Sequence, residues 1–253
     1  MERDDLASLA GFFANDGRLA VGETVRLGED STHHIRVRRL EVGDRVYLTD
    51  GAGHQATATI TRLGKHEAEA CVADVVSVPR PVGLHLLVPI SDRDRMLWLA
   101  EKSTELGVET WRPVMWRRSK SVSPRGEGAA FATRVGSRMR SALLQSHSAW
   151  LPVLHEDAAP SAALPGLPSG GTRLALDGRG APIASRSIQP PVTIAVGPEG
   201  GLEPDELRTL EDASFHPVSL GANVLRFETA AIAALAIVRS MLHAPDSRGR
   251  TDG

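Results

Sequence analysis

Two glycine turns in the second half of the chain carry the residues best suited to chemistry. The first, GPEGG at 197–201, leaves a short apolar run, VTIAVG, and leads into a polar segment that Pro204 and Glu206 open as a helix. The second, LGANVLRFETA at 220–230, leaves another short run, HPVSLG, and leads into an alanine-rich helix. Glycine lets backbone N–H and C=O groups approach a ligand closely. Two such turns at the C-terminal ends of neighbouring strands describe a crevice, the usual ligand edge of an open α/β sheet. Glu199 in the first turn would repel a triphosphate and favours a neutral or cationic ligand. Arg226 and Glu228 stand two apart in the second turn beside Leu220, Val224 and Leu225. Apolar walls with a few placed polar groups suit a purine-containing cofactor. GPEGG does not match GxGxxG, and GxxxxGK[ST] is absent, so the dinucleotide and P-loop readings are weak.

Those turns need a sheet to hold them. From residue 83 strands and helices alternate: GLHLLVPI, a helix over RMLWLAEKSTEL capped by Gly107, VETWRPV, a long helix over 127–147, then TRLALD, VTIAVG and HPVSLG. The alternation predicts a mainly parallel sheet covered by helices. Residues 155–171 read as a loop. Before the Pro-punctuated linker at 77–83, the runs ETVRLG, DRVYLTD, HQATATITRLG and EAEACVADVVSV predict a small antiparallel barrel. The expected domains are 1–78 and 83–243, with 244–253 as a disordered tail.

Composition narrows the classes. The chain has 253 residues, ordinary apolar and charged content, and a formal charge of −2. A generally basic nucleic-acid binder is disfavoured, yet residues 91–140 hold 11 Lys/Arg against 6 Asp/Glu, a candidate phosphate-contacting face. Within it WRRSKSVSPRG at 116–126 combines cations, hydroxyls and a Trp able to stack a base. The single cysteine, Cys71, excludes an internal disulfide and cysteine-based metal sites. His33 and His34 have no second ligand cluster at metal spacing, so no metal is expected. The acidic N-terminus and the lack of a long apolar run predict a cytoplasmic protein without a membrane partner.

HHIRVRRLEVGD, EKSTELGVETWRPV with RRS, Gln145-Ser146, VGPEGG and LGANVLRFETA occur in the order and spacing of the RsmE family, which the chain resembles from about residue 12 to 242. These are bacterial 16S ribosomal RNA (uracil-N3)-methyltransferases. The resemblance implies a SPOUT-type trefoil-knotted α/β domain, a PUA-like N-terminal barrel, S-adenosylmethionine as cofactor, the small ribosomal subunit as partner, and a homodimer. It places the cofactor at Gly197, Pro198, Glu199, Gly200 and Gly201, at Leu220 and Gly221, and at Val224, Leu225 and Arg226. Thr229 and Ala230 close the pocket, and Asp177 and Gly178 line it. Arg226 would stabilise charge on a uracil carbonyl, with Glu228 or Glu199 orienting it or taking its proton. Arg117, Arg118 and Lys120 would contact the RNA backbone, with Arg39 doing so from the barrel. The chain departs from the family where Leu144 and Ser148 replace a carboxylate and an arginine, and where Asp92 replaces a lysine. Those departures leave two further readings: a SPOUT methyltransferase with a different RNA target, and a non-catalytic RNA-binding ribosome-assembly protein.

Overall fold

A computed structural model describes residues 8–14, 19–121 and 124–243, the side chains of Lys120 and Ser121 excepted. The expected tail lies outside the described residues, and so does the Lys120 side chain. The chain divides into two compact units: Met1–Pro81 with Arg140–Leu151, and Val82–Met139 with Pro152–Gly253.

The first unit is built on a sheet ordered β1-β3-β4-β5-β2. Its strands are β1 (Ala10–Phe13), β2 (Thr24–Leu27), β3 (Arg45–Thr49), β4 (His54–Leu63) and β5 (Ala68–Ser77). The four predicted runs are β2 to β5. The sheet is mixed rather than purely antiparallel, because β1 pairs with β3 in parallel. Alternating small and apolar residues bury one side of the sheet: Val46, Leu48, Ala56, Ala58, Ile60, Ala68, Ala70 and Val72 form its core. Two register shifts, at Thr57/Ala58 and Ile60/Arg62, interrupt the β4–β5 ladder; shifts of this kind strengthen sheet twist. Helix α1 (Glu29–Val37) was not predicted. It buries only Thr32 and Ile35 and contains three β-branched residues, so its apolar signal is faint. Arg39 follows α1 with φ 57°, exposed to solvent.

The second unit holds a parallel sheet, ordered β11-β9-β10-β6-β7-β8. The strands are β6 (Leu84–Pro89), β7 (Thr110–Val114), β8 (Val153–Leu154), β9 (Thr172–Pro182), β10 (Val192–Ala195) and β11 (His216–Ser219). Every residue of β6 and β10 is buried, as expected for strands covered on both faces. In-register Leu87, Ala195 and Ala175 point to one face, into a cluster with Trp116, Leu210 and Phe215. The next residues back, Leu86, Ile194 and Leu174, therefore serve the other face.

Helix α2 (Arg93–Glu105) turns Met96, Leu99 and Ala100 inward. It ends in a Schellman arrangement, with Gly107 N–H bonded to Thr104 O at 2.9 Å and Val108 N–H to Ser103 O at 3.0 Å. Helix α3 (Ala129–Ser146) follows, then a short α4 (Pro160–Ala163) inside the stretch read as loop, where Pro160 begins the turn. Helices α5 (Pro204–Asp212) and α6 (Phe227–His243) each follow one of the glycine turns. Among the described residues no helix is long and apolar enough to cross a membrane.

Candidate active site

The glycine turn at 197–201 leaves the end of β10, and Trp116 holds that end in place. Its buried indole N–H donates to the Val196 carbonyl at 3.0 Å. Trp116 is therefore core, not the base-stacking surface expected from WRRSKSVSPRG. Glu206 holds the far side of the turn. Its carboxylate, 8% exposed, accepts the Glu203 N–H at 2.8 Å and the Arg117 N–H at 2.7 Å. The first bond is half of a capping box that starts α5. Gly201 sits at φ 75°, a conformation that favours glycine, and its N–H bonds Pro198 O at 2.8 Å.

The strand β9 supplies a second wall by leaving its ladder. Pro217 pairs with Ala175 but Val218 pairs with Ala181, so residues 176–180 loop out between them. Gly180 permits this: a Cβ there would stand 2.4 Å from Val218 N. Asp177 in the loop is clamped by Arg179 Nη2 at 2.8 Å, and that hydrogen bond holds its carboxyl below the usual carboxylate range.

These three segments enclose a cavity of ≈ 580 Å³, within the roughly 300–1,000 Å³ usual for ligand sites. Of the residues singled out from the sequence, Asp177, Gly178, Gly197, Pro198, Glu199, Gly201, Leu220, Gly221, Val224, Leu225 and Ala230 line it. Gly200, Arg226, Glu228 and Thr229 are not part of that lining. Arg226 is exposed, and its carbonyl accepts the first α6 bond from Ala230 N–H at 2.9 Å. Arg118 also lines the cavity: Nε donates to Glu203 Oε1 at 2.9 Å and Nη1 to the Gly200 carbonyl. Arg117 pairs with Asp205.

Sequence reasoning missed Ser91 and Arg95, which precede and open α2. Ser91 Oγ donates to Glu199 Oε2 at 2.6 Å, while Arg95 Nη1 lies 3.5 Å from Glu199 Oε1. Arg95 Nε lies 4.0 Å from Glu228 Oε1. Glu228 is 8% exposed and its Oε2 is buried without a partner. The signal was present in the arginine of the DRDRM run, three residues after Asp92. Asp92, standing where a lysine was expected, is the N-cap of α2 and accepts the Arg95 N–H at 3.0 Å. The other two departures also have local roles. The Ser148 side chain accepts the Trp150 N–H at 3.4 Å, and Leu144 Cδ2 approaches Gly11. His33 and His34 gather no ligands, and among the described residues no three His, Cys, Asp or Glu side chains form a metal cluster.

The cavity fits a neutral or cationic nucleoside-like cofactor. Glycine backbone borders it, Val196, Leu202 and Val218 supply apolar walls, and the carboxylates of Glu199 and Asp177 share the lining with Arg118 and Arg179. Fold and cavity together define a class: an α/β protein holding its ligand at the C-terminal edge of a parallel sheet.

Comparison with known proteins narrows that class. The family model of the RNA methyltransferase domain matches residues 78–239, and that of the RNA methyltransferase PUA domain matches residues 18–70. A ribosomal RNA small subunit methyltransferase E from Mycobacterium bovis is 31% identical, over 83% of this chain and 84% of its own length. The Rickettsia conorii protein of the same name is 28% identical over 88% and 93%. Among solved structures, the Neisseria gonorrhoeae ribosomal RNA small subunit methyltransferase E bound to S-adenosyl methionine superposes with a TM-score of 0.83 at 32% identity, covering 92% of this chain and 98% of its own. A putative methyltransferase from Legionella pneumophila, in complex with bound SAM, gives 0.83 at 28%, covering 92% and 97%. The chain belongs to the ribosomal RNA small subunit methyltransferase E family of RNA methyltransferases, with an N-terminal PUA domain.

Proposed function

We propose that this protein methylates N3 of one uracil in 16S ribosomal RNA of the small ribosomal subunit. The observation that carries the reading is the glycine-bordered cavity with a buried, unpartnered carboxylate oxygen, Glu228 Oε2, on the helix that follows its second turn. When bound there, S-adenosylmethionine supplies an electrophilic methyl group on a sulfonium. The chain's residues do the rest. Glycine backbone at 197–201 and 220–221 holds the adenosine between apolar side chains, with Asp177 and Gly178 at its edge and Ala230 closing the pocket, Thr229 standing just outside its lining. Glu199 puts a carboxylate in the cavity wall, which suits a cationic cofactor.

N3 carries a proton and lies on the Watson–Crick edge, so the target base must be unpaired or flipped out. Both Glu199 oxygens have partners, whereas Glu228 Oε2 has none, which favours Glu228 as the proton acceptor. Arg226, exposed at the mouth of α6, stabilises charge on a uracil carbonyl. Proton transfer of this kind contributes about 10²–10⁴-fold, and alignment of the reacting atoms contributes more.

In this reading residues 1–78 form a PUA-like barrel that helps hold RNA through Arg39. Residues 83–243 form the methyltransferase domain, knotted as in the SPOUT superfamily, and Arg117, Arg118 and Lys120 reach the RNA backbone. The enzyme works in the cytoplasm as a homodimer. The adjacent Val224 and Leu225, exposed at 99% and 38%, support a subunit contact at the second turn.

The test is transfer of labelled methyl from S-adenosylmethionine to small ribosomal subunits lacking the modification, with the product nucleoside identified by mass spectrometry. A single 3-methyluridine site is expected. A different methylated nucleoside would establish another RNA target, and cofactor binding without transfer would establish a non-catalytic RNA-binding protein.

A further inference from the structure

We propose that Arg95 is a positioning residue of this site, whose guanidinium holds Glu199 and Glu228 in one array and leaves Glu228 Oε2 free to take the uracil N3 proton. The proposal rests on the methyltransferase reading above. Three segments meet at this array: the start of α2, the turn after β10 and the first turn of α6. Each brings a charged group whose placement depends on the others.

Arg95 is fixed from its backbone outward. Asp92 caps α2 through the Arg95 N–H at 3.0 Å, so the first turn of the helix cannot swing without losing its cap. From there the side chain, 33% exposed, reaches Glu199 Oε1 with Nη1 at 3.5 Å and Glu228 Oε1 with Nε at 4.0 Å. Ser91, just before the same helix, takes the second Glu199 oxygen at 2.6 Å. Glu199 is thereby occupied on both sides. Glu228 has one oxygen turned toward Arg95 and the other buried with no protein partner.

Two carboxylates gathered at one site repel each other unless a cation stands between them. A guanidinium suits that position because it stays charged and presents several donors in a fixed plane. A buried acceptor left without a partner is costly. Glu228 Oε2 is buried outside the cavity lining, and a uracil whose N3–H reaches it would supply the missing donor. In the step itself the N3 proton passes to Glu228 Oε2, the N3 electron pair forms the bond to the methyl carbon, and the carbon–sulfur bond breaks with its electrons left on sulfur. Arg95 touches neither base nor methyl and acts through the carboxylates.

A double-mutant cycle with Arg95→Gln and Glu228→Gln tests this in the full-length protein, with Arg95→Lys as the charge-preserving variant. Arg95→Gln is expected to lower kcat about 10- to 100-fold, with KM for the ribosomal subunit and calorimetric Kd for S-adenosylhomocysteine each within about threefold of wild type. Arg95→Lys should recover part of the loss. In the Glu228→Gln background the Arg95 change should cost little more. A crystal structure of Arg95→Gln should show the Glu228 carboxylate displaced. Full multiplication of the two losses, or carboxylates unmoved in that structure, would overturn the proposal. So would a rise in KM at unchanged kcat, which would make Arg95 a phosphate contact. Wild-type protein that makes no 3-methyluridine would instead remove the parent reading, and the proposal with it.

Discussion

Glu206→Ala tests whether the first glycine turn is held from behind by one buried carboxylate. Glu206 accepts the Glu203 N–H at 2.8 Å and the Arg117 N–H at 2.7 Å, and is 8% exposed. Hydrogen bonds to a charged group contribute about 1.5–3 kcal/mol each, and a buried donor left unpaired costs about 1–3 kcal/mol. Two bonds give an upper figure near 6 kcal/mol. Arg117 itself is exposed, so water can reach its N–H after the truncation, and the expected loss falls to about 3 kcal/mol. In a protein of this size that corresponds to a melting midpoint lower by about 6–12 °C. Differential scanning calorimetry reads the midpoint, and isothermal calorimetry with S-adenosylhomocysteine should show weaker binding as the turn loosens. Asp205→Ala, which removes an exposed partner of Arg117, should scarcely move either value. A Glu206→Ala midpoint within about 2 °C of wild type would refute the reasoning.

Other residues give shorter tests. Gly180→Ala forces a Cβ to within 2.4 Å of the Val218 backbone and should cost more than about 3 kcal/mol, seen as lost folded yield and near-ultraviolet dichroism. Burial pushes His85, buried on β6, below its ordinary value of 6.5, so the unfolded chain binds the proton more readily. Stability should therefore be full above about pH 6.5 and fall as pH drops below it, and His85→Gln should flatten that slope in denaturant titrations. Arg226→Ala should lower kcat about 10²-fold while leaving the Kd for S-adenosylhomocysteine within about threefold, and transfer at the wild-type rate would remove its charge-stabilising role. Val224→Asp puts a charge on a 99% exposed apolar position and should shift sedimentation from dimer to monomer, where an unchanged dimer would place the subunit contact elsewhere.

What the sequence reveals about this site follows from where each physical signal is stored. The strands β10 and β11 and both glycine turns were legible because their causes are local, short runs that end in glycine, and β6 was legible as a short continuous apolar run. The α5 start was legible for the same reason, since Pro204 and Glu206 lie within one turn of each other. Helix α1 was not, because only Thr32 and Ile35 face the core, too few to set a helical period. Trp116 was misread because a tryptophan among arginines looks like a surface. Its burial depends on a carbonyl 80 residues away, which no local pattern encodes. The Arg95–Glu199–Glu228 array is the sharpest case. Its members span 133 positions, and each alone reads as a solvated charge at a helix or loop. Only the parallel sheet, by bringing the starts of α2 and α6 to the same edge, makes them one site. The same logic explains Asp92: read as a lost lysine it suggests lost function, but as the cap that seats Arg95 it belongs to the machinery that aims the carboxylates.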